Sequence, residues 1–150
     1  MLERKVSMVD IIQKPPIRRK AIAKGRIYLK KTTLEKIQSK EIHKGDPIIV
    51  GEIAATTAVK QTPLLIPLCH QIPITKVDFK YKIEEEFIEV FVEVEAVAKT
   101  GVEMEALVGV TTFLNVIWDM TKYLEKDDKG QYPTTRITDI LIVEKSKKEE

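Results

Sequence analysis

The feature that most constrains the fold is an alternation of apolar and polar side chains over residues 76–97. A period of two residues is that of a β-strand with one buried face. Glu84-Glu85-Glu86 interrupts the alternation near its middle, and two strands joined by such a short polar connection predict a β-hairpin. The chain should therefore contain an antiparallel sheet whose apolar face is covered by other elements. The alternating apolar positions are Val77, Phe79, Tyr81, Ile83, Ile88, Val90, Val92, Val94 and Ala96.

Two further strands are predicted, one before and one after this hairpin. Over residues 17–30 a second period of two places small and aliphatic side chains on one face and mainly basic side chains on the other. The basic face, with Lys20, Lys24 and Arg26, fits either a solvated surface or an anion-binding surface, and the pattern leaves both interpretations open. Residues 136–145 are rich in β-branched side chains and predict the last strand.

Two helices are predicted between the first strand and the hairpin. Residues 32–35 have the Thr-x-x-Glu pattern of a capping box, which predicts a short helix that ends near Lys40. Asp46 followed by Pro47 is a favourable start for a second helix, which Pro63 must end. The apolar face predicted for this second helix comprises Ile49, Val50, Ile53, Ala54, Ala58 and Val59.

The longest helix should begin at a second capping box, formed by Thr100 and Glu103, and reach Lys122. The apolar run over residues 64–71 contains a proline and has others on both sides, so we interpret it as a buried connector. It carries His70 and the chain's one cysteine, Cys69. A histidine in such a segment is more often a core residue than a catalyst, and a lone thiol argues against a zinc site.

The elements in order are one strand, two helices, two strands, one helix and one strand. Without the extra helix this is β-α-β-β-α-β, so we predict an α+β protein of ferredoxin-like arrangement, with an antiparallel sheet covered by helices. A length of 150 residues fits a single domain, residues 1–150, with its own core. Residues 1–16 and 146–150 are polar or charged and are expected to be mobile.

Charge and cysteine content narrow the class of partner and the compartment. The formal net charge is +2 and the basic residues are not gathered in one block, so we expect neither a nucleic-acid nor a membrane partner. A single cysteine cannot form an internal disulfide and fits a reducing cytoplasm. The charged first residues do not resemble a signal peptide, and we therefore expect a cytosolic protein.

Helix geometry limits how the polar residues of the longest helix can converge. Glu105 and Asp119 are fourteen residues apart, which places them on nearly the same face but roughly 21 Å apart along the axis. If both act on one small substrate, the two ends of the site must come from different subunits. Asp119 and Lys122, at positions i and i+3, can meet and form either a surface ion pair or part of a proton-transfer site. Glu103 is as well explained by capping as by function.

Several segments of the chain match, in the same order, the motifs of one known protein family. The longest are Lys44-Gly45-Asp46, Leu65–His70, Lys99–Leu107 and Asp119-Met120-x-Lys122. Shorter matches in the same order are Met8-Val9-Asp10, Arg19-Lys20-Ala21-x-Ala23-x-Gly25 and Ala58-x-Lys60. Together they closely resemble the MoaC-type cyclic pyranopterin monophosphate synthases of molybdenum cofactor biosynthesis, over nearly the whole chain. Gln71 stands where that family is expected to have proline, and Thr121 where cysteine is common.

The resemblance implies an enzyme that rearranges 3′,8-cyclo-7,8-dihydro-GTP to cyclic pyranopterin monophosphate and releases pyrophosphate, a lyase. It implies a ferredoxin-like fold and a homohexamer, a trimer of dimers, with sites at a subunit interface. The sequence by itself makes no cofactor certain; Mg²⁺ on the triphosphate is compatible with it, but no ligand cluster requires this metal.

The resemblance also implies roles for individual residues. The catalytic residues would be Asp119 as acid or base, with Lys122, Lys44 and Lys60. The substrate-binding residues would be Leu68, Cys69, His70, Glu103, Met104 and Glu105, with Lys20 and Arg26 as candidate triphosphate contacts. The tail lacks the glycine-rich lysine segment of many members, so the sequence leaves open whether Lys145 or Lys147 is catalytic. Two alternatives remain: a regulatory module that binds a nucleotide without turnover, and a structural or interaction subunit of the pathway.

Overall fold

A four-stranded antiparallel sheet forms the centre of the structure, a computed structural model that describes residues 3–149. Neighbouring strands follow the order β2-β3-β1-β4, and every pair is antiparallel. Strands adjacent in sequence are thus separated in the sheet, except for the β2–β3 hairpin, whose turn is Glu84-Glu85-Glu86 as predicted. The strands are β1 (Ile17–Tyr28), β2 (Ile74–Ile83), β3 (Phe87–Ala98) and β4 (Arg136–Lys148).

The helices complete the predicted α+β arrangement. Without α2 and the single turn α3, the order is β-α-β-β-α-β, and β1 and β3 lie at the centre of the sheet, as in a ferredoxin-like fold. The longest helix, α4, packs on β1 and β3, and α2 packs along α4. The helices are α1 (Lys31–Gln38), α2 (Pro47–Lys60), α3 (Thr62–Leu65) and α4 (Glu103–Glu125).

The core lies between α4 and the inner face of the sheet. The alternation in β1 is confirmed, since Ala21, Ala23 and Ile27 are fully buried while the side chains between them are partly exposed. Glycine at position 25 lets α4 approach closely, because a Cβ there would lie 2.8 Å from the Leu114 side chain. The fully buried residues that complete this interface are Ile88, Val90, Val92, Val94, Ala106, Val110, Phe113, Leu114 and Ile117.

Both predicted capping boxes are wrong, whereas the predicted Asp46 cap is confirmed. Asp46 Oδ1 accepts hydrogen bonds from the backbone N–H groups of Ile48 (2.9 Å) and Ile49 (3.4 Å). The first helix instead begins at Lys31 without a side-chain cap, because the backbone N–H of Lys30 donates to the Glu125 carboxylate of α4. A distant acceptor thus replaces the local cap predicted at Thr32 and Glu35.

The start of α4 differs from the prediction for a similar reason. The helix begins at Glu103, and its N-cap is Val102, which is 1% exposed and belongs to the core. The Glu103 carboxylate bonds to Lys145 of β4 instead of closing a box with Thr100. Burial of Val102 and this ion pair decide where the helix starts.

The apolar face predicted for α2 is only partly correct. Its inner side carries small residues, and a Cβ at Gly51 would lie 2.6 Å from the Phe113 ring of α4, so the two helices are in close contact there. Ile49, Val50 and Ile53 are 54%, 40% and 64% exposed on the outer side. The helix therefore has two apolar stripes, and the close contact with Phe113 selects the one with smaller side chains for the core.

The connector after α2 is not buried as predicted. Leu64, Leu65 and Leu68 are 78%, 60% and 46% exposed. The apolar side chains of this connector are therefore not part of the hydrophobic core of the single chain.

The last strand is longer than predicted. It continues to Lys148, three residues beyond the predicted end at Lys145. The mobility of residues 1–16 and 146–150 stays a prediction, and Met1, Leu2 and Glu150 lie outside the described residues. Within residues 3–149, every helix is too short or too polar to cross a membrane.

Candidate active site

One cluster of charges joins the second half of α4 to the loop before α2. Asp119 is bonded at both carboxylate oxygens, with Lys122 Nζ 2.9 Å from Oδ1 and Lys44 Nζ 3.2 Å from Oδ2. The predicted meeting of Asp119 and Lys122 is thus confirmed, and Lys44 joins them from a distant segment. The Asp119 side chain is 56% exposed, so the cluster lies at the surface of the chain.

The electrostatics of this cluster favour its fully charged form. Lys122 and, next, Lys44 hold the pKa of Asp119 below its ordinary value, and Asp119 in turn raises the pKa of Lys122. At neutral pH the cluster therefore consists of a carboxylate between ammonium groups. Such an arrangement can accept a proton at the carboxylate and stabilise negative charge on a ligand at the lysines.

A second group of candidate residues surrounds a cavity of about 460 Å³ at the opposite end of α4. Its lining comes from the end of the connector, from the start of α4 and from residues 7–14. His70 Nε2 lies 2.6 Å from the Val9 carbonyl oxygen, and because a carbonyl only accepts, Nε2 carries the proton. In a neutral ring this leaves Nδ1 as an acceptor. All six predicted substrate-binding residues of this region line the cavity: Leu68, Cys69, His70, Glu103, Met104 and Glu105.

Two carboxyl groups in this cavity have opposite pKa shifts. Burial raises the pKa of Glu105, which is 3% exposed, and the neighbouring charge of Glu103 adds to the increase. Burial and the charge of Glu105 also raise the pKa of the Cys69 thiol, so this cysteine is not an activated thiolate. Burial acts in the same direction on Glu103, but its ion pair with Lys145 (2.7 Å) holds the pKa of Glu103 below its ordinary value.

The structure adds two basic residues beside the cavity that the sequence did not assign. Lys145 reaches Glu103, whereas the sequence could not choose between Lys145 and Lys147. Arg19 is 8% exposed, donates from Nε to the Ala98 carbonyl (3.4 Å), and its charge also lowers the pKa of Glu103. The sequence contained an indication of this position, since Arg19 precedes the buried Ala21 and Ala23 at spacings of two residues and therefore lies on the same inner face of β1.

Lys20 and Arg26 lie on the outer face of the sheet and form ion pairs with glutamates of β3. Lys20 Nζ is 3.1 Å from Glu93, and Arg26 Nε is 2.6 Å from Glu89, which is only 2% exposed. These contacts raise the pKa of both basic groups. Neither residue joins the Asp119 cluster or lines the cavity, and their role as triphosphate contacts stays a prediction.

The two candidate groups lie far apart within one chain. Because α4 is continuous from Glu103 to Glu125, Glu105 and Asp119 are separated by roughly 21 Å along its axis. Lys60 is exposed in the last turn of α2 and lies outside both groups. Within residues 3–149, no three histidine, cysteine, aspartate or glutamate side chains are grouped as metal ligands.

Comparison with known proteins identifies a single family over most of the chain. The model of the MoaC family matches residues 8–148. A protein of Pyrococcus horikoshii named probable cyclic pyranopterin monophosphate synthase is 55% identical over 145 residues, which are 97% of this chain and 91% of the relative. Proteins with the same name from Thermococcus kodakarensis and Aeropyrum pernix are 53% and 51% identical, over 99% and 93% of this chain and 95% and 96% of theirs.

Proposed function

The chain belongs to the MoaC family, and we propose that it is a cyclic pyranopterin monophosphate synthase, an enzyme of molybdenum cofactor biosynthesis. It converts 3′,8-cyclo-7,8-dihydro-GTP to cyclic pyranopterin monophosphate and releases pyrophosphate, which makes it a lyase. The observation that carries the proposal is Asp119, held in its ionised form between Lys44 and Lys122. A cytosolic location remains a prediction from the composition.

The charge cluster supplies what this rearrangement requires. Ring opening and pterin closure need protons to be moved, and Asp119, ionised at neutral pH, is the residue assigned to this transfer as acid or base. Expulsion of pyrophosphate develops negative charge, which the ammonium groups of Lys44 and Lys122 stabilise. Lys60 is assigned to the same chemistry by its motif alone, since it is exposed outside the cluster.

The cavity at the other end of α4 binds the substrate. Its walls combine hydrogen-bonding groups at His70 and Glu103 with the apolar Met104, which suits a flat heterocycle with polar edges. Burial raises the pKa of Glu105 while the pKa of Glu103 is lowered, so of these two carboxyl groups Glu105 keeps its proton to the higher pH. Lys145 and Arg19 at the Glu103 side supply positive charge for phosphate groups, with Lys20 and Arg26 as the further candidates predicted from the sequence.

A complete site requires a second copy of the chain. The separation of roughly 21 Å between Glu105 and Asp119 exceeds what one small substrate spans, so the cavity of one subunit is completed by the charge cluster of another. The exposed apolar side chains on α2 and in the connector support such an assembly, because clusters of this kind mark interaction surfaces. They are Ile49, Val50, Ile53, Leu64, Leu65 and Leu68. The expected assembly is a homohexamer, a trimer of dimers.

Pyrophosphate release from 3′,8-cyclo-7,8-dihydro-GTP tests the activity, with Asp119→Asn as the variant and Asp128→Asn, at an exposed loop aspartate, as the matched control. We expect release by the native protein and the control, and none by Asp119→Asn at unchanged folding and assembly. Running the assay with Mg²⁺ and with EDTA tests the metal requirement, which the sequence leaves open. Tight substrate binding without pyrophosphate from the native protein would instead indicate the regulatory nucleotide-binding module. Neither binding nor release would indicate the structural or interaction subunit.

Mixing two inactive variants tests the shared site. Asp119→Asn removes the cluster and His70→Ala alters the cavity, and hybrid assemblies contain interfaces at which both groups are native. We expect co-assembled subunits to recover activity that neither variant has alone. Hybrids verified by native mass spectrometry that stay inactive would contradict a site shared between subunits.

A further inference from the structure

The loop that carries Lys44 is short and is fixed at both ends. It occupies residues 39–46 between α1 and α2. Ile42 is 6% exposed and anchors the loop in the core, and the Gly45 N–H donates to the Ile42 carbonyl (3.1 Å). Gly45 has φ +119°, a conformation that favours glycine and turns the chain sharply after Lys44. At the far end, Lys40 Nζ bonds to the Asp46 carboxylate (3.1 Å).

Between these fixed ends, the loop contacts Tyr123 of α4 in addition to Asp119. The Tyr123 hydroxyl oxygen accepts a hydrogen bond from the backbone N–H of His43 (3.1 Å). The two rings are also stacked, with centroids 4.6 Å apart and planes inclined by 18°. Tyr123 thus contacts both the backbone and the side chain of the residue directly before Lys44.

Tyr123 lies one helical turn after Asp119, so the two side chains project from the same face of α4. The loop follows this face, with His43 on Tyr123 and Lys44 on Asp119. Lys44 itself is 51% exposed, and its flexible side chain has many rotamers available in water. A fixed backbone at position 43 reduces the volume that the Lys44 ammonium group can sample.

We propose that Tyr123 is a positioning residue of the reaction, which holds the His43–Lys44 backbone against α4 so that the Lys44 ammonium group stays at Asp119. This inference rests on the proposed function, because it assigns to the contact a purpose in catalysis. Tyr123 does not touch the reacting groups in this arrangement, and it acts through Lys44. The Tyr123 hydroxyl fixes the backbone of His43 and the Tyr123 ring fixes the His43 imidazole, so substitutions can remove the two contacts separately.

Steady-state kinetics of pyrophosphate release test the proposal. Tyr123→Phe keeps the ring and loses the acceptor, and we expect kcat to fall about three- to tenfold, the factor that one lost hydrogen bond produces. Tyr123→Leu loses both contacts and should lower kcat further, with a smaller change in KM. Tyr81→Phe, at an exposed tyrosine of β2, is the control and should leave both constants unchanged.

A double-mutant cycle asks whether the effect passes through Lys44. In a Lys44→Met background, Tyr123→Leu should cause no further loss of kcat, because the group that it positions is gone. Equal losses in the two backgrounds would overturn the proposal. Tyr123 is 38% exposed, so its replacement should leave folding intact, which circular dichroism verifies.

Titration of Asp119 by side-chain carbon NMR gives a readout that needs no activity. Lys122 on α4 and Lys44 on the loop are the two cations bonded to Asp119. Release of the loop in Tyr123→Leu should raise the pKa of Asp119 in the same direction as Lys44→Met does. An unchanged Asp119 titration in Tyr123→Leu, beside a clear shift in Lys44→Met, would refute the positioning role. If the native protein releases no pyrophosphate, the proposed function fails and this titration still decides the contact.

Discussion

Replacement of Glu125 should destabilise the fold more than replacement of any exposed glutamate, because the Glu125 carboxylate joins three segments. The side chain is 0% exposed at the end of α4. It accepts hydrogen bonds from the backbone N–H of Lys30 (3.2 Å), from the Thr33 hydroxyl and from the Thr135 hydroxyl (2.7 Å). Glu125→Leu removes the acceptor of these three donors, of which the two threonine hydroxyls are buried and the Lys30 N–H is partly buried.

The expected magnitude follows from the number of donors. Each buried donor left without a partner costs about 1–3 kcal/mol. Since a hydroxyl can rotate towards another acceptor, the full cost of three donors is an upper limit, and we expect a loss of about 3–6 kcal/mol in the free energy of unfolding. Glu125→Gln keeps one oxygen acceptor but turns an amide N–H₂ towards a donor, so its loss should be intermediate.

Urea denaturation at one fixed protein concentration measures this loss, with the fluorescence of Trp118, the chain's one tryptophan, as the signal from α4. Glu35→Leu, at an exposed glutamate of α1, is the control for removing a charge. If the free energies of unfolding of Glu125→Leu and Glu35→Leu agree to within about 0.5 kcal/mol, the reasoning is refuted. Stability at position 125 would then not depend on the three hydrogen bonds.

Two further predictions concern packing and pH. Gly51→Ala should lower the free energy of unfolding by about 1–3 kcal/mol despite the higher helix propensity of alanine, because its Cβ would lie 2.6 Å from the buried Phe113 ring. Thermal unfolding measures this effect, and a raised melting temperature would contradict it. Ion pairs with Lys76 (2.7 Å) and Lys20 (3.1 Å) hold the pKa of Glu93 below its ordinary value of 4.5. As the pH falls, the unfolded chain therefore binds this proton before the folded chain does. The stability contributed by Glu93 is complete above about pH 4.5 and is lost as the pH falls through the lower pKa of the folded state. Urea denaturation between pH 3 and 7 should therefore show a smaller acid loss in Lys76→Met than in the native protein, and an equal loss would refute it.

The strands were predictable because their signals are local. The alternation over residues 76–97 and over β1 shows which side chains face inward, and turn and crossover rules then leave few ways to order four strands. The start of α2 was predictable for the same reason, since Asp46 caps the N–H groups two and three residues after it. Of the site, the pairing of Asp119 with Lys122 followed from their positions on one helix face.

Other features depended on partners distant in sequence, and the tertiary structure alone decided them. The start of α1 is set by Glu125, ninety-five residues after Lys30, and the start of α4 by the burial of Val102 and by Lys145. Which stripe of α2 is buried depends on Phe113 of another helix.

The same holds for the site, where Lys44 meets Asp119 across seventy-five residues and Arg19 reaches the neighbourhood of Glu103 from β1. The sequence by itself determined the periodic and short-range features, because a backbone period or a cap involves residues within a few positions of one another. Contacts between distant segments were decided only when the packed core brought those segments together, since their energies depend on distance in space and not on spacing along the chain.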